Sequence, residues 1–149
     1  MKTIIIYAST HHGNTKKVVE QLAGIGDTTI VDITRDKAPD ISSYDVVGFA
    51  SGVYFHSFHE AVKKFIQDSS VLSGKKVFLL DTCGIAYIDY TSGVKKLLKS
   101  KQAVILGSFQ CRGYDTYGIF GKLGGIAKNH PNDKDFQNAA AFFRQVTQA

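Results

Sequence analysis

Thr3-Ile4-Ile5-Ile6-Tyr7-Ala8-Ser9-Thr10-His11-His12-Gly13-Asn14-Thr15-Lys16-Lys17-Val18-Val19 carries the reading that decides the fold, and it passes through three physical regimes in succession. The run from Ile4 to Tyr7 has no polar alternation, which is how a strand reads when both faces of its sheet are covered. A loop of hydroxyl, imidazole, glycine and amide residues follows. Val18, Val19, Leu22 and Ala23 then place apolar groups at helical spacing. Strand, polar loop and helix make the first half of a parallel crossover unit.

The same alternation continues outward along the chain. Strands are predicted at Thr3–Tyr7, Thr28–Ile33, Val46–Ala50, Val77–Asp81 and Ala103–Phe109. Between and after them, Ala61, Val62, Phe65 and Ile66, then Val94, Leu97 and Leu98, and finally Phe136, Ala139, Ala140 and Phe143 form helical apolar stripes. Asn132 or Asp133 is the expected cap of the last helix, after a long loop from Gly118 to Asp133. The link around Asp36 to Asp45 holds Pro39 and the pair Ser42-Ser43, so one turn or an irregular crossover is expected there. Parallel neighbours need right-handed crossovers that cover both faces. The expected fold is therefore α/β, a doubly wound five-stranded parallel sheet of order 2-1-3-4-5, with residues 1–149 as a single domain. In such sheets ligands bind at the carboxyl ends of the strands, near the reversal of strand order.

The bulk properties exclude several classes. With 149 residues, 44% hydrophobic and 21% charged, the chain can bury a substantial core and is not a disordered segment. Its first apolar stretch is too short for a signal sequence or a membrane span. Two cysteines without C-x-x-C spacing fit a reduced compartment, and a cytoplasmic location is expected. Cys83 and Cys111 end neighbouring strands, so a reversible thiol pair is conceivable, although buried reduced cysteine is the commoner condition. The net charge of +5 comes largely from lysine pairs spread over helices and their approaches, as on solvated faces, which makes nucleic acid an unlikely partner.

Ser9 to Thr15 stand where a helix begins, and a helix N-terminus offers unpaired N–H groups and positive potential to an anion. Thr10, Asn14 and Thr15 can add side-chain hydrogen bonds, while Gly13 permits close approach or a positive φ. The bland alternative is a turn that merely caps the helix. Neither the triphosphate-loop pattern nor G-x-G-x-x-G is present, which disfavours ATP, GTP and NAD. There is also no nucleophile elbow, no H-E-x-x-H zinc motif and no acidic pair after the first strand.

The run Tyr7 to Thr15, above all Gly13-Asn14-Thr15, resembles the FMN-phosphate loop of the flavodoxin family. His11 and His12 depart from it, standing where the family often has small hydroxyl residues. A phosphate dianion favours a charged imidazole, so either histidine can add a charge-assisted hydrogen bond or remain an exposed loop side chain. The resemblance implies a cofactor site of Ser9, Thr10, His11, His12, Gly13, Asn14 and Thr15 for the phosphate. For the ring it implies Ser51, Gly52, Val53, Tyr54 and Phe55 after strand three, and Thr82, Cys83, Gly84 and Tyr87 after strand four. Cys111-Arg112-Gly113-Tyr114 ends the fifth strand at the same edge. A flat amphipathic ring needs apolar faces and backbone donors and acceptors on its polar rim. Tyr54, Phe55 and Tyr87 are the expected faces. Gly52 is suited to a peptide that turns when the flavin is reduced, as the family resemblance implies.

The expected function is that of an electron carrier in which FMN does the redox chemistry and no side chain is catalytic, with no metal and no membrane involved. Flavodoxins are usually acidic, whereas this chain has a sequence pI near 9.2, so redox partner proteins with acidic docking surfaces are expected. The alternatives are an FMN-dependent NAD(P)H/quinone-type reductase and, from the basicity alone, a non-enzymatic binding module.

Overall fold

Backbone pairing of the apolar runs builds one parallel sheet in the order β2-β1-β3-β4-β5. A computed structural model describes residues 1–10, 12–114 and 125–148. Its strands are β1 (Lys2–Ala8), β2 (Asp27–Asp32), β3 (Val46–Gly52), β4 (Lys76–Cys83) and β5 (Val104–Arg112). The helices among the described residues are α1 (Asn14–Leu22), α2 (Glu60–Asp68), α3 (Ser92–Ser100) and α4 (Asp133–Thr147). The doubly wound arrangement read from the sequence is the one observed.

Alternation along the strands divides the core into two layers. Ile4, Ile6, Val47, Phe49, Val77 and Leu79 pack with Val62 and Ile66 of α2 and Val94 and Leu98 of α3. Ile5, Tyr7, Ala50, Phe78, Leu80 and Cys111 pack with Val18, Val19 and Leu22 of α1 and Ala139, Phe143 and Val146 of α4. Gly48 explains itself in this second layer: a Cβ there would lie 2.3 Å from Cζ of Phe78. The ring that fills the space is itself edge-on to Phe143, at 5.7 Å between centroids.

Three strands run further than their apolar runs suggest. Ser51 and Gly52, Thr82 and Cys83, and Gln110 to Arg112 remain in the ladder, with Gly52 opposite Thr82 and Cys83 opposite Arg112. Ser51, Gly52, Thr82 and Cys83, expected as loop residues, are therefore strand residues. Pairing is a backbone property, and polar side chains at a strand end do not prevent it. On β5 the register steps from Ile105 opposite Val77 to Gly107 opposite Phe78, so Leu106 is an extra, bulged residue. That bulge sets Gln110 opposite Asp81.

Between β2 and β3 the chain uses turns without a helix. Asp32 Oδ1 accepts the N–H and hydroxyl of Thr34 at 3.0 and 2.6 Å, and Asp40 Oδ1 accepts those of Ser42 at 2.9 and 2.7 Å. This is the irregular crossover expected from Pro39 and Ser42-Ser43.

Candidate functional site

The carboxyl ends of β1, β3, β4 and β5 meet at one edge of the sheet, and side chains tie their loops together. Gly13, the N-cap of α1, has φ 66° and brings no side chain to cap the helix. Its first turn contains no acidic residue. Ser9 Oγ accepts the N–H of Lys16 at 3.1 Å, folding the loop back over the helix start. The N–H and hydroxyl of Thr10 converge on one oxygen, the phenol of Tyr54, at 2.9 and 2.8 Å.

Asn14 and Thr15 direct their side chains inward. The Thr15 and Thr82 hydroxyls are buried together at 2.8 Å, joining α1 to β4. Asn14 Nδ2 donates to the carbonyl of Tyr114 at 2.8 Å, and a Cβ on Gly113 would come within 2.6 Å of that nitrogen. Asn14 Oδ1 is the buried side-chain polar atom that lacks a partner among the described residues. His12, at φ 54°, sets its ring 4.4 Å from that of Tyr114. His11 lies outside the described residues, as does the loop stretch from Gly118 to Gly124.

The segment after β3 is a tight reversal. Tyr54 and Ser57 exchange backbone hydrogen bonds of 2.8 and 3.1 Å around Phe55 and His56, which both have positive φ, 51° and 62°. Two such angles define a type I′ turn, usually built from Asn and Gly. It throws Phe55 outward, 87% exposed, and turns Tyr54 inward, so that a Cβ on Gly52 would lie 3.2 Å from its hydroxyl. Ser51 Oγ donates to the Gly52 carbonyl at 2.6 Å and accepts the N–H of His59 at 2.9 Å. His59 Nδ1 in turn caps α2 by accepting the Ala61 N–H at 2.9 Å, and its ring meets Tyr54 edge-on at 4.9 Å.

The segment after β4 is held from β5. Nε and Nη2 of Arg112 donate to the Gly84 carbonyl at 3.1 and 2.9 Å. Gln110 grips Tyr87 and Ile88, and Tyr90 donates its hydroxyl to the Ile85 carbonyl at 3.0 Å. Tyr87, at φ 67°, is fully exposed. Of the three rings expected to flank a planar ligand, Tyr54 thus faces inward, while Phe55 and Tyr87 stand out from opposite loops.

Asp81 is buried beneath this loop, and loss of water pushes its carboxyl up to about 6, against the hydrogen bond from Gln110. Burial likewise raises the Cys111 thiol, with Asp135, Cys83 and Asp81 adding to the effect. Thr82 is the register partner of Cys111, so Cys83, one residue on, belongs to the other face of the sheet. The reversible thiol pair considered from the sequence is not formed: both cysteines are reduced and buried. Among the described residues, no group of three or more His, Cys, Asp or Glu can hold a metal ion, and no helix is long and apolar enough to cross a membrane. A separate cavity of about 490 Å³, bounded by Ile33, Pro39, Ile41 and Phe65, shares no residue with these loops.

The sequence reading did not single out Asp81, Gln110 or His59, which tie this edge together. A lone carboxylate ending the apolar run Val77 to Leu80 was the available signal for the first of these.

Comparison with known proteins identifies the family of the chain. A family model described as "Flavodoxin domain" matches residues 4–123. An uncharacterized protein of Methanocaldococcus jannaschii is 38% identical over 148 residues, which cover 98% of each chain. A flavodoxin from the domain Archaea shares the fold at a TM-score of 0.73 and 16% identity, over 99% of this chain and 97% of that one. General stress protein 14 of Treponema denticola, solved in complex with FMN, does so at a TM-score of 0.64 and 14% identity, over 98% of this chain and 99% of that one. Matched by the family model over most of its length and by a relative over nearly all of it, the chain belongs to the flavodoxin family.

Proposed function

We propose that this protein binds one FMN non-covalently at the carboxyl edge of its sheet and carries electrons on it between redox partners. The observation that carries the reading is the start of α1, where Gly13 is left-handed, the first turn holds no carboxylate, and two donors of Thr10 converge on a single oxygen. Backbone N–H groups of Gly13, Asn14 and Thr15 would hold the phosphate, with Thr10 contributing its hydroxyl. Asn14 Oδ1, a buried acceptor without a partner among the described residues, suits a ligand chain that bears hydroxyl donors. Ser51, Gly52, Val53, Thr82, Cys83 and Gly84 would present backbone groups to the ring, and Tyr54, Phe55 and Tyr87 its apolar surroundings.

When bound, FMN supplies the redox chemistry, and the protein orients it and tunes it. Exposed Phe55, Ile85, Tyr87 and Ile88 offer an apolar contact area at this edge. The net positive charge favours partners with acidic docking surfaces.

The test is titration of the purified protein with FMN and, separately, with riboflavin, followed by flavin fluorescence. Saturable quenching by FMN at one equivalent, with riboflavin at least tenfold weaker, is expected. Absence of saturable FMN uptake by folded protein overturns the reading. Rapid steady oxidation of NAD(P)H by the loaded protein would replace the carrier role with that of an FMN-dependent reductase.

A further inference from the structure

The loop between β4 and α3 owes its shape to one amide. Gln110 Oε1 accepts the N–H of Tyr87 at 3.1 Å, while Nε2 donates to the Ile88 carbonyl at 2.8 Å and to Asp81 Oδ2 at 3.0 Å. Both donors and the acceptor of that amide are therefore engaged. Rotating it by half a turn would set its oxygen against a carboxylate and a carbonyl, and its NH₂ against an N–H. The ionised carboxylate of Asp81, only 1% exposed and able only to accept, reinforces that one orientation. Tyr87 needs such a hold, because its φ of 67° is a conformation that a bulky residue rarely adopts.

We infer that Asp81 is a positioning residue for the candidate flavin site, fixing the Gln110 amide and through it the Tyr87–Ile88 segment beside the ring. This rests on the FMN reading above. The carboxylate acts on the loop through Gln110, anchoring its amide in the orientation that the Tyr87 N–H and the Ile88 carbonyl require. Protonation weakens that anchor, since a carboxylic acid is a poorer acceptor for the amide NH₂ and can also donate. The groups that bear on Asp81 are Asp89, in the loop itself, and Lys95 on α3, of opposite effect, and the Cys111 thiol on the adjacent strand. His59 borders it through Ser51, its register partner on β3. Burial, the largest influence, places the titration at about 6, so the hold should slacken in mild acid.

The experiment follows the Gln110 side-chain amide and the Tyr87 backbone amide by NMR in the flavin-free protein between about pH 5 and pH 8. Both signals are expected to shift together with one midpoint, and Asp81→Asn, which keeps the size of the side chain, is expected to leave both flat. In parallel, Gln110→Ala is expected to weaken FMN and riboflavin alike by roughly tenfold, the mark of a loss at the ring and not at the phosphate. Signals that do not titrate, or that titrate equally in Asp81→Asn, overturn the inference. So does FMN affinity unchanged in Gln110→Ala. If the wild-type signals titrate as expected but the wild-type protein takes up no FMN, the flavin reading falls, and Asp81 positions a loop that serves no flavin.

Discussion

The N-termini of α1 and α4 lie on the same face of one sheet, and they solve the same problem in opposite ways. At α4, Asn132 accepts the N–H of Asp135 at 3.1 Å, and the Asp135 carboxylate accepts that of Asn132 at 2.8 Å, with His130 Nδ1 also 2.7 Å from it. A further carboxylate, Asp133, sits in the same turn, so the helix satisfies its own donors and its own dipole. At α1 the cap is a left-handed glycine, acids are absent from the first turn, and the third helical position holds Lys16 where α4 has Asp135. A helix that closes itself is structural. At α1 the Lys16 N–H is taken by Ser9 Oγ from the preceding loop, but the positive end of the helix has no acid to balance it, which is the basis for proposing an anion there.

Moving the α4 solution to α1 should break the contrast most sharply. Lys16→Asp places a carboxylate where it can reach back to the first-turn N–H groups, on a side chain that is about half exposed. The substitution is expected to weaken FMN about 100-fold, or ~2.7 kcal/mol, and to change riboflavin affinity little, as paired titrations would read. The flavin-free fold should change by no more than a few tenths of a kcal/mol in urea denaturation, because the gain against the helix dipole is offset by loss of the Lys16–Glu20 pair and by the new like charges at that spacing. Loss of FMN and riboflavin together would mean that the anion is held elsewhere.

The reciprocal change acts on stability alone. Asn132→Ala removes the cap from α4 and should lower the unfolding free energy by about 1 kcal/mol, with FMN affinity within twofold of wild type. Tyr54→Phe should have the smallest effect. It takes away the phenol oxygen on which the Thr10 donors converge, and FMN should bind roughly threefold more tightly, ~0.6 kcal/mol, once that competitor is gone. Weaker binding would instead make the Tyr54 hydroxyl part of the cradle.

Sheet order and strand positions were legible because Ile4 to Tyr7, Val46 to Phe49 and Val77 to Leu80 are continuous apolar runs, the signature of burial on both faces. Their ends were not, because Ser51, Thr82 and Gln110 pair through a backbone that leaves no trace in side-chain polarity. The Ser9–Thr15 loop could be singled out because its polar residues and the helix start are local in sequence. The Asp81–Gln110 contact could not: it joins residues 29 apart and depends on a bulge at Leu106. The inward turn of Tyr54 was equally hidden, since Phe55-His56 is not a pair that announces a left-handed reversal.

The buried carboxyl under the β4–α3 loop also bears on how the protein tolerates acid. With its ordinary value of 3.8 raised to about 6 by the fold, that group holds a proton more tightly in the native chain than in the unfolded one. Its contribution to folding is full below the ordinary value and is lost as the solution becomes more alkaline through the raised one. Acidification, which unfolds many proteins, would here be resisted by at least one interior site, so the native chain is expected to tolerate mild acid.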